Sequence, residues 1–177
     1  HGVQIVKMTE AFSSLNNDVT IISPKRVQRE ISHKTDIFNF YNVQENFKHI
    51  LVNFIDPYVY RSFMPKFIYR FFSFIVNIFW GIKSARVGSK LKGDLYLFRD
   101  NTPFSYLFSA IRSKKCVVEF HDIPPFVARL IFKIGLIFSK KTICFAVTSK
   151  LSDDLRKKLI NLKNLNDIYT LHDGVDL

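Results

Sequence analysis

The feature that most constrains this chain is an alternation of short, continuous apolar runs with segments of helical period. The runs at Asp18–Pro24, Phe47–Val52, Asp94–Phe98, Cys116–Phe120 and Thr142–Val147, with a last one near Ile168–Leu171, read as strands. Helical segments begin at Val3, at Pro103 (to about Ser113), at Phe126 (to Phe138) and at Thr148-Ser149. Leu15-Asn16-Asn17 supplies the first turn, and the polar stretch Lys25–Thr35 is expected to be loop or weak helix. Strands without polar alternation are buried on both faces, which means a parallel sheet covered by helices. The expected fold is therefore α/β, a Rossmann-like doubly wound parallel sheet in one domain over residues 1–177. Asp153 and Asp154 are expected in the first turn of the last helix, where acids suit the dipole.

Charge is distributed unevenly. Lys and Arg number 26 against 15 Asp and Glu, a formal net charge of +11. From Pro57 to Gly93 the basic residues are Arg61, Lys66, Arg70, Lys83, Arg86, Lys90 and Lys92, with no acid; from Ile123 to Ser152 they are Arg129, Lys133, Lys140, Lys141 and Lys150, again with no acid. The first region holds Phe71–Ile82, uncharged but shorter than the roughly 18 to 20 apolar residues that span a bilayer. As a helix it carries one stripe of Met64, Ile68, Phe71, Ile75, Ile78 and Ile82, and a second of Tyr69, Phe72, Val76 and Trp80. So wide an apolar surface needs a second burial partner. Bulky apolar residues interleaved with cations suit an anionic membrane interface, with Lys66, Arg70, Phe74, Trp80, Lys83, Arg129 and Lys133 as the contacting residues. A core helix, or one covered by another domain, would explain the same pattern. Nucleic acid fits less well, because phosphate tracking favours exposed cations over so much Phe and Ile.

Several chemistries have no support in the sequence. Cys116 and Cys144 lie inside apolar runs and read as buried free thiols. No P-loop, G-x-G-x-x-G, G-x-S-x-G or H-E-x-x-H occurs, and the five histidines show no metal-ligand spacing, so no metal site is expected. In parallel α/β sheets ligands bind outside the carboxyl ends of the strands. Those ends carry Arg99-Asp100, Glu119, His121-Asp122, Thr148-Ser149 and His172-Asp173-Gly174. His121 stands out because it follows Glu119 and precedes Asp122 at a strand end.

Phe98-Arg99-Asp100, Val117–Pro124, Ala146–Leu155 and the terminal His172–Asp176, in this order, resemble the N-terminal half of GT-B glycosyltransferases of the family 4-like group. The opening Val3–Pro24 is similar to that family's first helix and second strand. The resemblance implies retaining, metal-independent transfer of a sugar from a nucleotide-sugar donor, with no cofactor, in a cleft between two Rossmann-like domains. It implies that this domain holds the acceptor and that His121 bonds a donor-sugar hydroxyl and stabilises developing charge. Arg99, Asp100, Glu119 and Asp122 would line the cleft, and Ser149, Asp173 and Gly174 would sit at its base. Other roles for the same residues are a surface ion pair of Arg99 with Asp100, a helix cap for Ser149 and a plain turn at Asp173-Gly174.

The same resemblance places a first strand and glycine-rich loop before His1 and a nucleotide-binding C-terminal domain after Leu177. The family's paired glutamates, eight positions apart, find no counterpart among Glu10, Glu30, Glu45 and Glu119. The piece alone is thus expected to be inactive. The basic aromatic segments suggest a lipid-linked or polysaccharide acceptor and a peripheral position on the inner, cytoplasmic face of a membrane. Two alternatives stand beside the enzyme reading: a non-enzymatic lipid- or polyanion-binding α/β module, and a sugar-nucleotide epimerase of related architecture.

Overall fold

The computed structural model describes residues 2–25, 36–112, 114–139, 142–159 and 168–171. Strands and helices alternate and every strand pair is parallel, which is the Rossmann-like α/β class that the apolar runs imply. The strands fall into two sheets instead of the single sheet expected, and the chain divides into two compact units, His1–Val76 and Asn77–Leu177.

In the first unit, helix α1 (Gly2–Ser14) buries Val6 and Thr9. It stops where Asn16 takes φ 63° and Asn17 Nδ2 donates to the Phe12 carbonyl at 2.9 Å, an asparagine ending of the left-handed type. Strands β1 (Thr20–Lys25) and β2 (Lys48–Asn53) pair in parallel from Thr20↔Lys48 to Lys25↔Asn53. Pro24 has no N–H to donate, which suits β1 to an edge position and limits this sheet's growth on that side. The one-turn helix α2 (Ile37–Tyr41) has no forecast in the sequence; it closes on Asn42 at φ 50°. The Lys25–Thr35 expectation lies outside the described residues beyond Lys25.

Helix α3 (Lys66–Leu91) is longer than its apolar centre and ends at Lys92, with φ 54°. Only one of its two predicted stripes is consistently sheltered. Val76 is buried and Tyr69, Phe72 and Trp80 are half-buried, whereas Ile68 and Phe71 are 51% and 62% exposed. No helix among the described residues is long and apolar enough to cross a membrane.

In the second unit, β3 (Tyr96–Arg99), β4 (Cys116–Phe120), β5 (Thr142–Ala146) and β6 (Ile168–Thr170) lie side by side in chain order. Helices α4 (Pro103–Ile111), α5 (Phe126–Phe138) and α6 (Ser149–Leu159) connect them. Alternate strand residues, Cys116, Val118, Phe120, Cys144, Ala146 and Ile168, pack with Tyr106, Phe132, Leu136, Leu155 and Leu159 into one core. Burying one such large side chain contributes roughly 1.5–3 kcal/mol. Every residue of β4 is buried, which makes it the sheet's most enclosed strand. Gly135 lets α5 close on the fully buried Tyr106 ring; a Cβ there would overlap it.

Two local expectations at α6 are corrected. The cap is Thr148, whose Oγ1 accepts the Leu151 N–H at 3.1 Å, so Ser149 is the helix's first residue and not its cap. Asp153 and Asp154 consequently fall one turn inside, where Asp153 meets Arg156 at 3.4 Å instead of the helix N-terminus.

Candidate functional site

Parallel pairing sets Arg99, the last residue of β3, directly beside Glu119 of β4. Register partners in neighbouring strands point to the same face, and the guanidinium Nε donates to Glu119 Oε2 at 2.9 Å. Both side chains are about nine-tenths buried, at 8% and 10% exposure. His121 follows two residues on, and its Nε2 lies 3.3 Å from the same carboxylate oxygen. One glutamate therefore holds a buried arginine and lies beside a histidine at the carboxyl ends of two strands. Arg99 keeps both Nη atoms buried without a hydrogen-bond partner among the described residues.

The loop beyond is pinned by the next residue. Asp100 Oδ2 accepts the backbone N–H groups of His121 and Asp122 at 2.9 and 3.0 Å, while its own N–H donates to the Glu119 carbonyl. The surface ion pair of Arg99 with Asp100 is overturned: Arg99 turns inward to Glu119, and Asp100 serves backbone donors. Thr102, which the sequence reading passes over, donates its hydroxyl to the Arg99 carbonyl at 2.8 Å and holds the turn after β3. Its signal is its position three residues past Arg99, the spacing of a hydroxyl-closed turn.

Asp122 is exposed and accepts the N–H of Ile123 at 2.7 Å, a local turn contact beside the cluster. Ser149 is exposed and shares no hydrogen bond with the cluster among the described residues. Asp173 and Gly174 lie outside the described residues. No group of three or more His, Cys, Asp or Glu among the described residues could hold a metal ion.

The basic set separates into two settings. Lys66, Arg70 and Lys83 are exposed on α3, where Phe74 is 41% exposed and Trp80 half-buried. Arg129 and Lys133 on α5 line a groove of about 240 Å³ together with Phe126, Leu130 and Lys158 of α6. Sequence spacing could flag Phe126, Leu130 and Lys133 as one helical face; it could not bring Lys158 to them.

Burial perturbs several titrating groups away from the cluster. The thiols of Cys116 and Cys144 are both pushed up to about 12 by desolvation, so they remain protonated and poorly nucleophilic at neutral pH. The Tyr106 hydroxyl is raised for the same reason, opposed by its bond to Thr142. His49, 2.8 Å from the Ser23 hydroxyl, is lowered by burial, with Asp36 opposing.

No family model, curated protein or solved structure matches this chain.

Proposed function

We propose that this chain is the acceptor-side Rossmann-like domain of a retaining glycosyltransferase that moves a sugar from a nucleotide-sugar donor to a lipid-linked or polysaccharide acceptor at a membrane surface. The observation that carries the reading is the Arg99–Glu119–His121 cluster. It lies at the carboxyl ends of adjacent parallel strands, with His121 just beyond β4, on the side where open α/β sheets bind ligands. In this reading His121 contributes an imidazole beside the Glu119 carboxylate, suited to bond a sugar hydroxyl and to meet charge as it develops on the ring. Preorganised donors aimed at developing charge contribute most when they need not reorient during the reaction. Arg99 holds Glu119 in place, and Asp100 fixes the backbone on which His121 is mounted.

Sugar transfer by the gene product containing this chain tests the reading. His121→Ala should lower turnover by about 100-fold, the typical loss on removing one such donor, with the thermal midpoint unmoved. Unchanged turnover would remove His121 from the reaction. Absence of any transfer from nucleotide-sugars would remove the enzyme reading itself.

A further inference from the structure

We infer that the groove between α5 and α6 is a headgroup site for an anionic phospholipid, anchoring the protein at one face of a membrane. The inference deepens the membrane-surface part of the proposed function and shares that premise, but it rests on the geometry of these two helices and does not depend on sugar transfer. Arg129, Lys133 and Lys158 converge on the groove, and no carboxylate lines it among the described residues. The Arg129 guanidinium carbon sits 5.9 Å from the centre of the Phe126 ring, and its Nε is buried without a hydrogen-bond partner among the described residues. The stacking holds the planar donor group in place before any ligand arrives.

Size and polarity narrow the occupant. At about 240 Å³ the groove is smaller than the roughly 300–1,000 Å³ of sites that enclose whole small-molecule ligands. It suits a phosphate-bearing head group with the remainder of the molecule outside. The apolar residues at that end of α5 lie open: Phe126 is 72% exposed, and Val127 and Leu130 are each 50% exposed. Meanwhile Ile131, Phe132, Gly135 and Leu136 face the core. Cations beside an exposed aromatic and aliphatic edge match an interface where head groups adjoin acyl chains. A soluble polyanion would neutralise the cations but leave Phe126 and Leu130 in water.

Flotation of the chain with vesicles of phosphatidylcholine alone, and of phosphatidylcholine with phosphatidylglycerol, tests the site. The phosphatidylglycerol vesicles should carry the protein and the neutral ones should not. Each groove cation should be worth about fivefold in partitioning, so the triple substitution R129Q/K133Q/K158Q should lose on the order of 100-fold. The triple R86Q/K90Q/K115Q removes equal charge from exposed positions elsewhere and should lose only a few-fold. Phe126→Ala should lose about tenfold in vesicle binding through lost apolar insertion, and far-ultraviolet circular dichroism should show each variant folded. Equal losses from the two triples would mean diffuse charge attraction and would overturn the site. So would full partitioning by Phe126→Ala, equal binding to neutral vesicles, or complete displacement by millimolar inorganic phosphate at constant ionic strength.

Discussion

Arg99 and Arg129 both stand next to apolar residues in the sequence, yet the fold treats them in opposite ways. Arg99 closes a strand, is buried, and has the Glu119 carboxylate at 2.9 Å. Arg129 lies on the outer side of a helix, with an aromatic ring beside it and no carboxylate among the residues lining its groove. A buried cation that already has its counter-charge acts on its neighbours: it fixes Glu119, which in turn faces His121. A cluster of cations without a counter-charge attracts one from outside. The same residue type is thus a positioning element at one place and a recognition element at another, and the difference lies in the partner.

The largest expected effect removes that partner. Glu119→Ala leaves the Arg99 charge buried and uncompensated, which costs about 3–5 kcal/mol. Arg129→Gln, at a half-exposed position, should stay within about 0.5 kcal/mol of the parent. Urea unfolding followed by circular dichroism measures both. Similar losses for the two variants would erase the distinction drawn between the arginines, and a milder loss for Glu119→Gln, which retains an acceptor for Arg99, would sharpen it.

The inner face of α5 offers a second check, of intermediate size. Gly135→Ala gains helix propensity but drives a methyl into the ring of fully buried Tyr106, and overpacking of this kind typically costs about 1–3 kcal/mol. In a Tyr106→Leu background the added methyl has room, so the same substitution should become neutral or stabilising. A penalty that survives in that background would show that Tyr106 is not what confines Gly135, and that the division of α5 into a packed face and an open one is drawn in the wrong place.

What the sequence made legible follows from the same contrast. The bounds of β4 and α5 are readable because Cys116–Phe120 and Phe126–Phe138 are mainly apolar segments, interrupted by Glu119 in the first and by Arg129 and Lys133 in the second, and separated by His121-Asp122 and Pro124-Pro125. The partner of Arg99 was not readable from adjacency. Neighbours along a strand end point to opposite faces, so Asp100 could not share Arg99's environment, whereas the parallel register set Glu119, twenty positions away, on the same face. A search for charged residues closing successive buried strands would have found the pair. The groove was half legible: helical spacing aligns Phe126, Leu130 and Lys133, but Lys158 arrives only through the packing of α6. The capping error at α6 has a local cause, because Thr148 and Ser149 are both able caps and only backbone direction decides between them.

The smallest effect concerns two histidines, whose surroundings repeat the comparison of the arginines. His121 faces a carboxylate; His49 faces the hydroxyl of Ser23 and is half-buried, with desolvation holding its pKa below the usual 6.5 and Asp36 only partly opposing. A histidine lowered in the fold binds fewer protons there than in the unfolded chain near that pH. Its contribution to stability is therefore fully present above about pH 6.5 and is lost as pH falls through the lowered folded value. The urea midpoint should accordingly drop between about pH 7.5 and about pH 5.5, and His49→Gln, which cannot take up the proton, should flatten that part of the profile. A slope that His49→Gln leaves intact would move the acid sensitivity to another group. A slope that steepened toward low pH in His49→Gln would mean that Asp36, not burial, governs this ring, and that the contrast drawn between the two histidines is mistaken.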